Sequence, residues 1–147
     1  LNNPVDAIGS VANYFKSNGW KSNEAIATRA KIIADNYDEA ITSKDLKTAS
    51  TLADIKSKGL DVKDGAFAST MPASALRLQG ENGAEFWLAF NNFYVITTYN
   101  RSTLYAMAVM QLSQALKEAR AQVNSSQSLV PIIEATSVTS PDVPSTL

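Results

Sequence analysis

Tyr99, Asn100 and Tyr105 are the residues of this chain whose chemistry and spacing would suit a sugar. A phenol offers an apolar face to the C–H side of a pyranose ring and a hydroxyl to its polar edge, while an Asn amide both donates to and accepts from an acetamido group. Tyr99 and Asn100 are expected at a strand-to-helix junction, where side chains can point into a cleft, and Tyr105 returns to the same region one to two helical turns later. Asn100 would serve equally well as a helix cap. Of the five Phe, five Tyr and two Trp, seven fall between Phe86 and Tyr105, a density that marks either a large core or a sugar- or peptide-binding wall. Phe86, Phe90 and Val95, read as one face of a hairpin, are most simply core.

Acid–base chemistry is harder to find. The 147 residues contain neither Cys nor His, which removes disulfides, the usual structural zinc sites, thiol nucleophiles and imidazole bases. Among the carboxylates, Asp6 reads as a first-turn helix charge, Asp54 as a cap partner, Glu81 as a turn residue, Glu85 as strand surface and Glu118 as a solvated helix face. None of these Glu lies in an apolar run that would raise its pKa for general-acid work, so a proton donor is not expected in this chain. With 13 Lys+Arg against 14 Asp+Glu and a net charge of -1, the attraction that dominates nucleic-acid binding is missing. The longest apolar run, which takes in Tyr105 to Met110, is far short of the ~20 residues a membrane-spanning helix needs.

The elements that must position these residues are marked unevenly. Asn3 as cap, Pro4 at the first helical position, Asp6, and the spacing of Val5, Ile8, Ala12 and Phe15 predict a helix over 4–17. Gly19 is its left-handed stop, and Trp20 folds back onto the helix end. Ala25 to Ile33 is compatible with a strand. Thr51 and Asp54 have capping-box spacing, so TLADIKSKG predicts a short helix ended by Gly59. ALRLQ and AEFWLAF flank GENG as an antiparallel hairpin. Tyr105, Val109, Leu112, Leu116, Ala119 and Val123 recur at steps of four and three, the strongest helical pattern in the chain, giving a helix over 101–122. The expected class is α+β, with two helices bracketing a small α/β region over 21–97. Residues 123–147, rich in Ser, Thr and Pro, are expected to form a disordered tail.

Taken together, NNPVDAIGSVANYFKSNGW, TLADIKSKGL and LRLQGENGAEFWLAFNNFYVITTYNRSTLYAMAVMQL resemble the C-terminal half of the membrane-bound lytic murein transglycosylase B family and its soluble relatives. The resemblance covers most of residues 1–122 and leaves the tail outside. It implies a lysozyme-like fold and cleavage of the β-1,4 bond between N-acetylmuramic acid and N-acetylglucosamine in peptidoglycan. The muramyl 6-hydroxyl, rather than water, completes that reaction and leaves a 1,6-anhydro end, with one Glu serving as acid and then base. This departs from the two-carboxylate scheme of ordinary glycosidases. No residue here matches the family's Glu motif, which lies upstream of this segment.

What the resemblance carries over is a sugar-binding wall of Tyr14, Tyr99, Asn100 and Tyr105, with Ser102 first a helix-start hydroxyl. Asp6 matches the closing ligand of an EF-hand-like calcium loop. A single carboxylate cannot hold a cation that wants six to eight oxygens, so structural calcium is expected only of a longer polypeptide, and no cofactor for the chemistry itself. Because the chain opens on Leu1, a piece of a longer polypeptide is expected, inactive alone and partnered by the missing N-terminal half and by glycan strands. The implied location is the periplasm or the periplasmic face of the outer membrane. An apolar face left uncovered makes self-association a further expectation. The alternatives are a non-catalytic glycan-binding or protein-docking module and, more remotely, a structural scaffold.

Overall fold

A computed structural model describes residues 3–42, 46–48 and 50–127. Leu1–Leu112 form one compact unit and Ser113–Leu147 a second. The first helix, α1 (Pro4–Ser17), begins where the Asn3 side chain accepts the Val5 N–H and Pro4 supplies a helical φ without a wasted donor. Its other end is a Schellman turn. Gly19 takes φ +90°, its N–H donates to the Lys16 carbonyl, and the Trp20 N–H donates to the Phe15 carbonyl at 3.0 Å. Trp20 then stacks on Phe15 with centroids 5.6 Å apart, which closes the turn with an apolar contact. No residue of α1 is fully buried, and Val5 and Ile8 are 73% and 69% exposed.

The chain then builds an antiparallel sheet from β1 (Ala27–Ile32), β2 (Ser50–Thr51), β3 (Leu60–Val62), β4 (Pro72–Gly80) and β5 (Gly83–Ala89), in the order β2-β4-β5-β1-β3. The β4–β5 hairpin pairs Ala75 with Leu88 and Leu76 with Trp87, and turns through Glu81-Asn82. Side chains alternate across a strand, so this register feeds two cores. Ala73, Ala75 and Leu88 face Leu52, Ile55, Leu60 and Phe90 on one side. Leu76 and Ala89 join Phe93, Ile96, Ala106, Met107 and Met110 on the other. Helix α2 (Leu52–Ser57) begins with the expected capping box, in which the Thr51 hydroxyl accepts the Asp54 N–H and Asp54 accepts the Thr51 N–H. Gly59 closes it at φ +94°, where a Cβ would lie 2.9 Å from the Ala34 carbonyl oxygen.

One element differs from the sequence reading. FYVITTY is not a strand: Asn91–Tyr99 form helix α3, so Tyr99 and Asn100 stand at a helix-to-helix corner, and Val95 is core on a helix rather than on a hairpin. Asn92, Phe93, Val95, Ile96 and Thr97 are all buried, so the run shows no polar stripe from which a helical period could be read. The Thr97 and Thr98 hydroxyls donate to the carbonyls of Tyr94 and Val95, both at 2.6 Å, and so β-branched residues are accommodated in the helix. Helix α4 (Thr103–Gln127) starts two residues later than expected and runs five residues past 122, so residues 123–127 are helical rather than tail. Residues 128–147 lie outside the described residues.

Candidate functional site

Tyr14, Tyr99 and Tyr105 come from three different helices and meet. Tyr99, the last residue of α3, is 52% exposed. The Tyr14 ring meets it edge-on with centroids 5.4 Å apart, and Tyr105, in the first turn of α4, stacks on it at 6.3 Å with 26° between the planes. Phe15 adds a second edge at 6.3 Å and carries Trp20 behind it. The result is a continuous aromatic surface with a half-exposed phenol at its centre, a form suited to a sugar's C–H face.

Hydrogen bonds fix this surface from behind. The Tyr14 hydroxyl donates to the Thr98 carbonyl at 2.9 Å and lies 3.3 Å from the Thr98 hydroxyl oxygen. Its proton is therefore engaged within the protein, which leaves Tyr14 its ring edge and oxygen lone pairs for any ligand. Asn100 is exposed and extended at φ -140°, and its Oδ1 accepts the Ser102 N–H at 3.1 Å. Ser102 in turn accepts the Tyr105 N–H at 3.2 Å, the helix-start role expected of it. Asn100 Nδ2 donates to none of the described residues and is left to point at solvent or ligand.

Two positioning features, the Asn91–Asn92 pair and Thr98, carried no signal in the sequence. Asn92, wholly buried at the start of α3, accepts the Lys21 N–H at 2.8 Å and donates to the carbonyls of Lys21 and Glu24. Asn91 beside it donates to the Gly19 carbonyl at 2.8 Å. Together they lash the segment after α1 to α3 and so fix Tyr14 against Tyr99. Thr98 is the other, through its contacts with Tyr14. Two adjacent Asn ahead of an apolar run suggest a turn, and only the tertiary contacts reveal a clamp.

Among the described residues, three carboxylates are shifted, all downward. The carboxylates of Asp54, Asp61 and Glu85 are held below their ordinary values by hydrogen bonds from Thr51, Lys56 and Arg29 respectively, the reverse of what a general acid needs. Asp6 lies in the exposed first turn of α1. Among the described residues no three Asp, Glu, His or Cys side chains gather to hold a metal, so Asp6 would need oxygen ligands beyond these to bind calcium.

An antiparallel sheet bracketed by helices, with an aromatic wall at a helix corner, is thus the frame of the candidate site. The signature of the transglycosylase SLT domain matches residues 1–114, and the chain belongs to that family. It is 42% identical over 119 residues to membrane-bound lytic murein transglycosylase B of Escherichia coli K12, covering 81% of this chain and 31% of that protein. The fold is similar to the soluble lytic transglycosylase SltB1 of Pseudomonas aeruginosa, with TM-score 0.73, 38% identity, and coverage of 82% of this chain and 39% of that one. It is also similar to the Escherichia coli lytic transglycosylase Slt35, solved in complex with bulgecin A, with TM-score 0.67, 41% identity, and coverage of 81% and 36%. The chain thus spans about a third of the length of these relatives. Among the described residues no helix is long and apolar enough to cross a membrane.

Proposed function

We propose that this chain is the C-terminal portion of a peptidoglycan lytic transglycosylase, which cleaves the β-1,4 bond between N-acetylmuramic acid and N-acetylglucosamine and leaves a 1,6-anhydro end. The observation that carries this reading is the convergence of Tyr14 and Tyr105 on the half-exposed ring of Tyr99. In this account Tyr99 and Tyr105 bear the sugar rings, Tyr14 buttresses Tyr99, and Asn100 uses its Nδ2 to orient an acetamido carbonyl beside the bond being cleaved. In this reading the proton comes from a Glu on the remainder of the domain, while Asp54, Asp61 and Glu85 here are held as anions by their hydrogen-bond donors.

The exposed apolar face of α1, Val5 and Ile8, is the surface proposed to meet that remainder, and to mediate self-association when it is absent. Calcium, closed by Asp6 with ligands from the same remainder, belongs to this proposal, as does a periplasmic or outer-membrane location. The test is product analysis with the complete polypeptide acting on purified sacculi. Anhydromuropeptides should form, and Asn100→Ala should depress their rate by about tenfold or more, the value of one lost oriented hydrogen bond. Hydrolytic products, or an unchanged rate in the variant, would contradict the reading.

A further inference from the structure

Asparagine followed by glycine occurs twice in the chain, at Asn18-Gly19 and at Asn82-Gly83. Such a pair can react with itself in water, because the glycine nitrogen, unshielded by any Cβ of its own residue, can attack the Asn carboxamide carbon and close a cyclic imide. Both Asn side chains are exposed, and at neither glycine does an atom beyond the chain neighbours lie within 4 Å of a Cβ position. Solvent access and space therefore do not separate the two sites. Hydrogen bonding does. Asn18 Nδ2 donates to the Tyr14 carbonyl at 2.8 Å, which turns the carboxamide back along α1 and away from Gly19. The Gly19 N–H donates to the Lys16 carbonyl at 3.3 Å, the Gly19 carbonyl accepts from Asn91 Nδ2 at 2.8 Å, and Trp20 is stacked on Phe15 just beyond. At the other site, among the described residues, no group bonds the Asn82 carboxamide, and the turn is closed by Gly80 paired with Gly83. Two glycines bring no cross-strand side-chain contact to that pair, so this is the end from which the hairpin opens.

We propose that Asn82 is a site of spontaneous deamidation in the folded protein and that Asn18 is not. This goes beyond the glycan reading and does not depend on it, since water is the only co-reactant. When the tip opens, the Gly83 nitrogen gives its proton to a solvent base and bonds to Asn82 Cγ; the Cγ–Nδ2 bond breaks, and ammonia leaves with a proton taken from the solvent. Water then adds to one of the two imide carbonyls. Addition at Cγ breaks its bond to the Gly83 nitrogen and leaves an ordinary aspartate. Addition at the main-chain carbonyl leaves an isoaspartate, with the Asn82 Cβ now part of the backbone. Either product adds a negative charge to a tip that already carries Glu81 and Glu85, in a groove with no Lys or Arg among its described lining residues. Arg29 is already bound to Glu85. Like-charge repulsion and the lengthened backbone both loosen the Gly80–Gly83 pair, and with it the contact of the tip with Leu104, Met107 and Gln111 of α4, which line the same groove.

The test is incubation of the full chain in mildly alkaline buffer, folded and in concentrated urea, followed by peptide mapping with mass spectrometry that locates each exchange of NH2 for OH. In the folded chain Asn82 should convert about tenfold or more faster than Asn18. In urea the two rates should come within about threefold of each other, because the fold alone separates them. The converted chain, purified by ion exchange on its added charge, should show faster amide hydrogen exchange at Gly80 and Gly83 than the unmodified chain, with Leu88 in the core unchanged. No conversion of Asn82 in the folded chain, equal rates at the two sites, or a tenfold difference that persists in urea would overturn the assignment. Unchanged exchange at Gly80 and Gly83 would overturn the loosening of the hairpin tip.

Discussion

Tyr14 acts through one atom that its sequence context does not reveal. VANYF looks like a helix with an aromatic pair, yet the phenol proton goes to the Thr98 carbonyl 84 residues away. Replacing Tyr14 with Phe keeps the ring edge against Tyr99 and removes that donor, so urea unfolding should show a loss of about 1 kcal/mol, with sugar binding changed far less than by Tyr99→Ala. The acidic side chains make a second prediction. Asp54 (ordinary value 3.8) and Glu85 (ordinary value 4.5) are depressed in the folded state by their donors. A group whose folded pKa is lowered contributes stability that is full above its unfolded pKa and lost as pH falls through the folded value. The urea midpoint should therefore hold steady down to about pH 5 and fall below about pH 4, and Glu85→Gln should flatten part of that fall.

Elements differ in how much of themselves the sequence displays. Helix α1 was legible at both ends because capping chemistry is local: Asn3 with Pro4 starts it, and Gly19 with Trp20 stops it. The capping box of α2 and the Glu81-Asn82 hairpin were legible for the same reason. Helix α3 was not, because a segment buried on most sides, Asn92 and Thr97 included, offers a periodicity test no exposed polar stripe, and its β-branched residues favour the wrong answer. Tertiary contacts decide it, above all those of Asn92. Asn92→Ala would take away the acceptor of the Lys21 N–H and the side-chain donor to the Glu24 carbonyl, and leave the Lys21 carbonyl only the longer bond from the Glu24 N–H, a cost of about 3 kcal/mol, measurable by thermal unfolding, and should weaken sugar binding as Tyr14 drifts from Tyr99. Gly59→Ala should cost about 2 kcal/mol through its positive φ and the Ala34 carbonyl, with the aromatic wall unaffected.

At the scale of the whole molecule, the sheet feeds two cores while α1 presents Val5 and Ile8 to solvent. That contrast fits a chain that spans about a third of its relatives' length. If α1's face seeks cover, sedimentation of the chain alone should show concentration-dependent association that Ile8→Lys reduces. Tyr99, Asn100 and Tyr105 stood out in the sequence because they are close in number, but their union with Tyr14 depends on α1 and α3 being clamped together, which no spacing rule contains. The central claim is that this union is a sugar platform. Its most direct measurement is calorimetric titration of peptide-free glycan strands into the chain and into its Tyr99→Ala variant. Saturable binding weakened about tenfold or more by the substitution is the expected result; equal binding by both proteins, or none by either, would contradict the account.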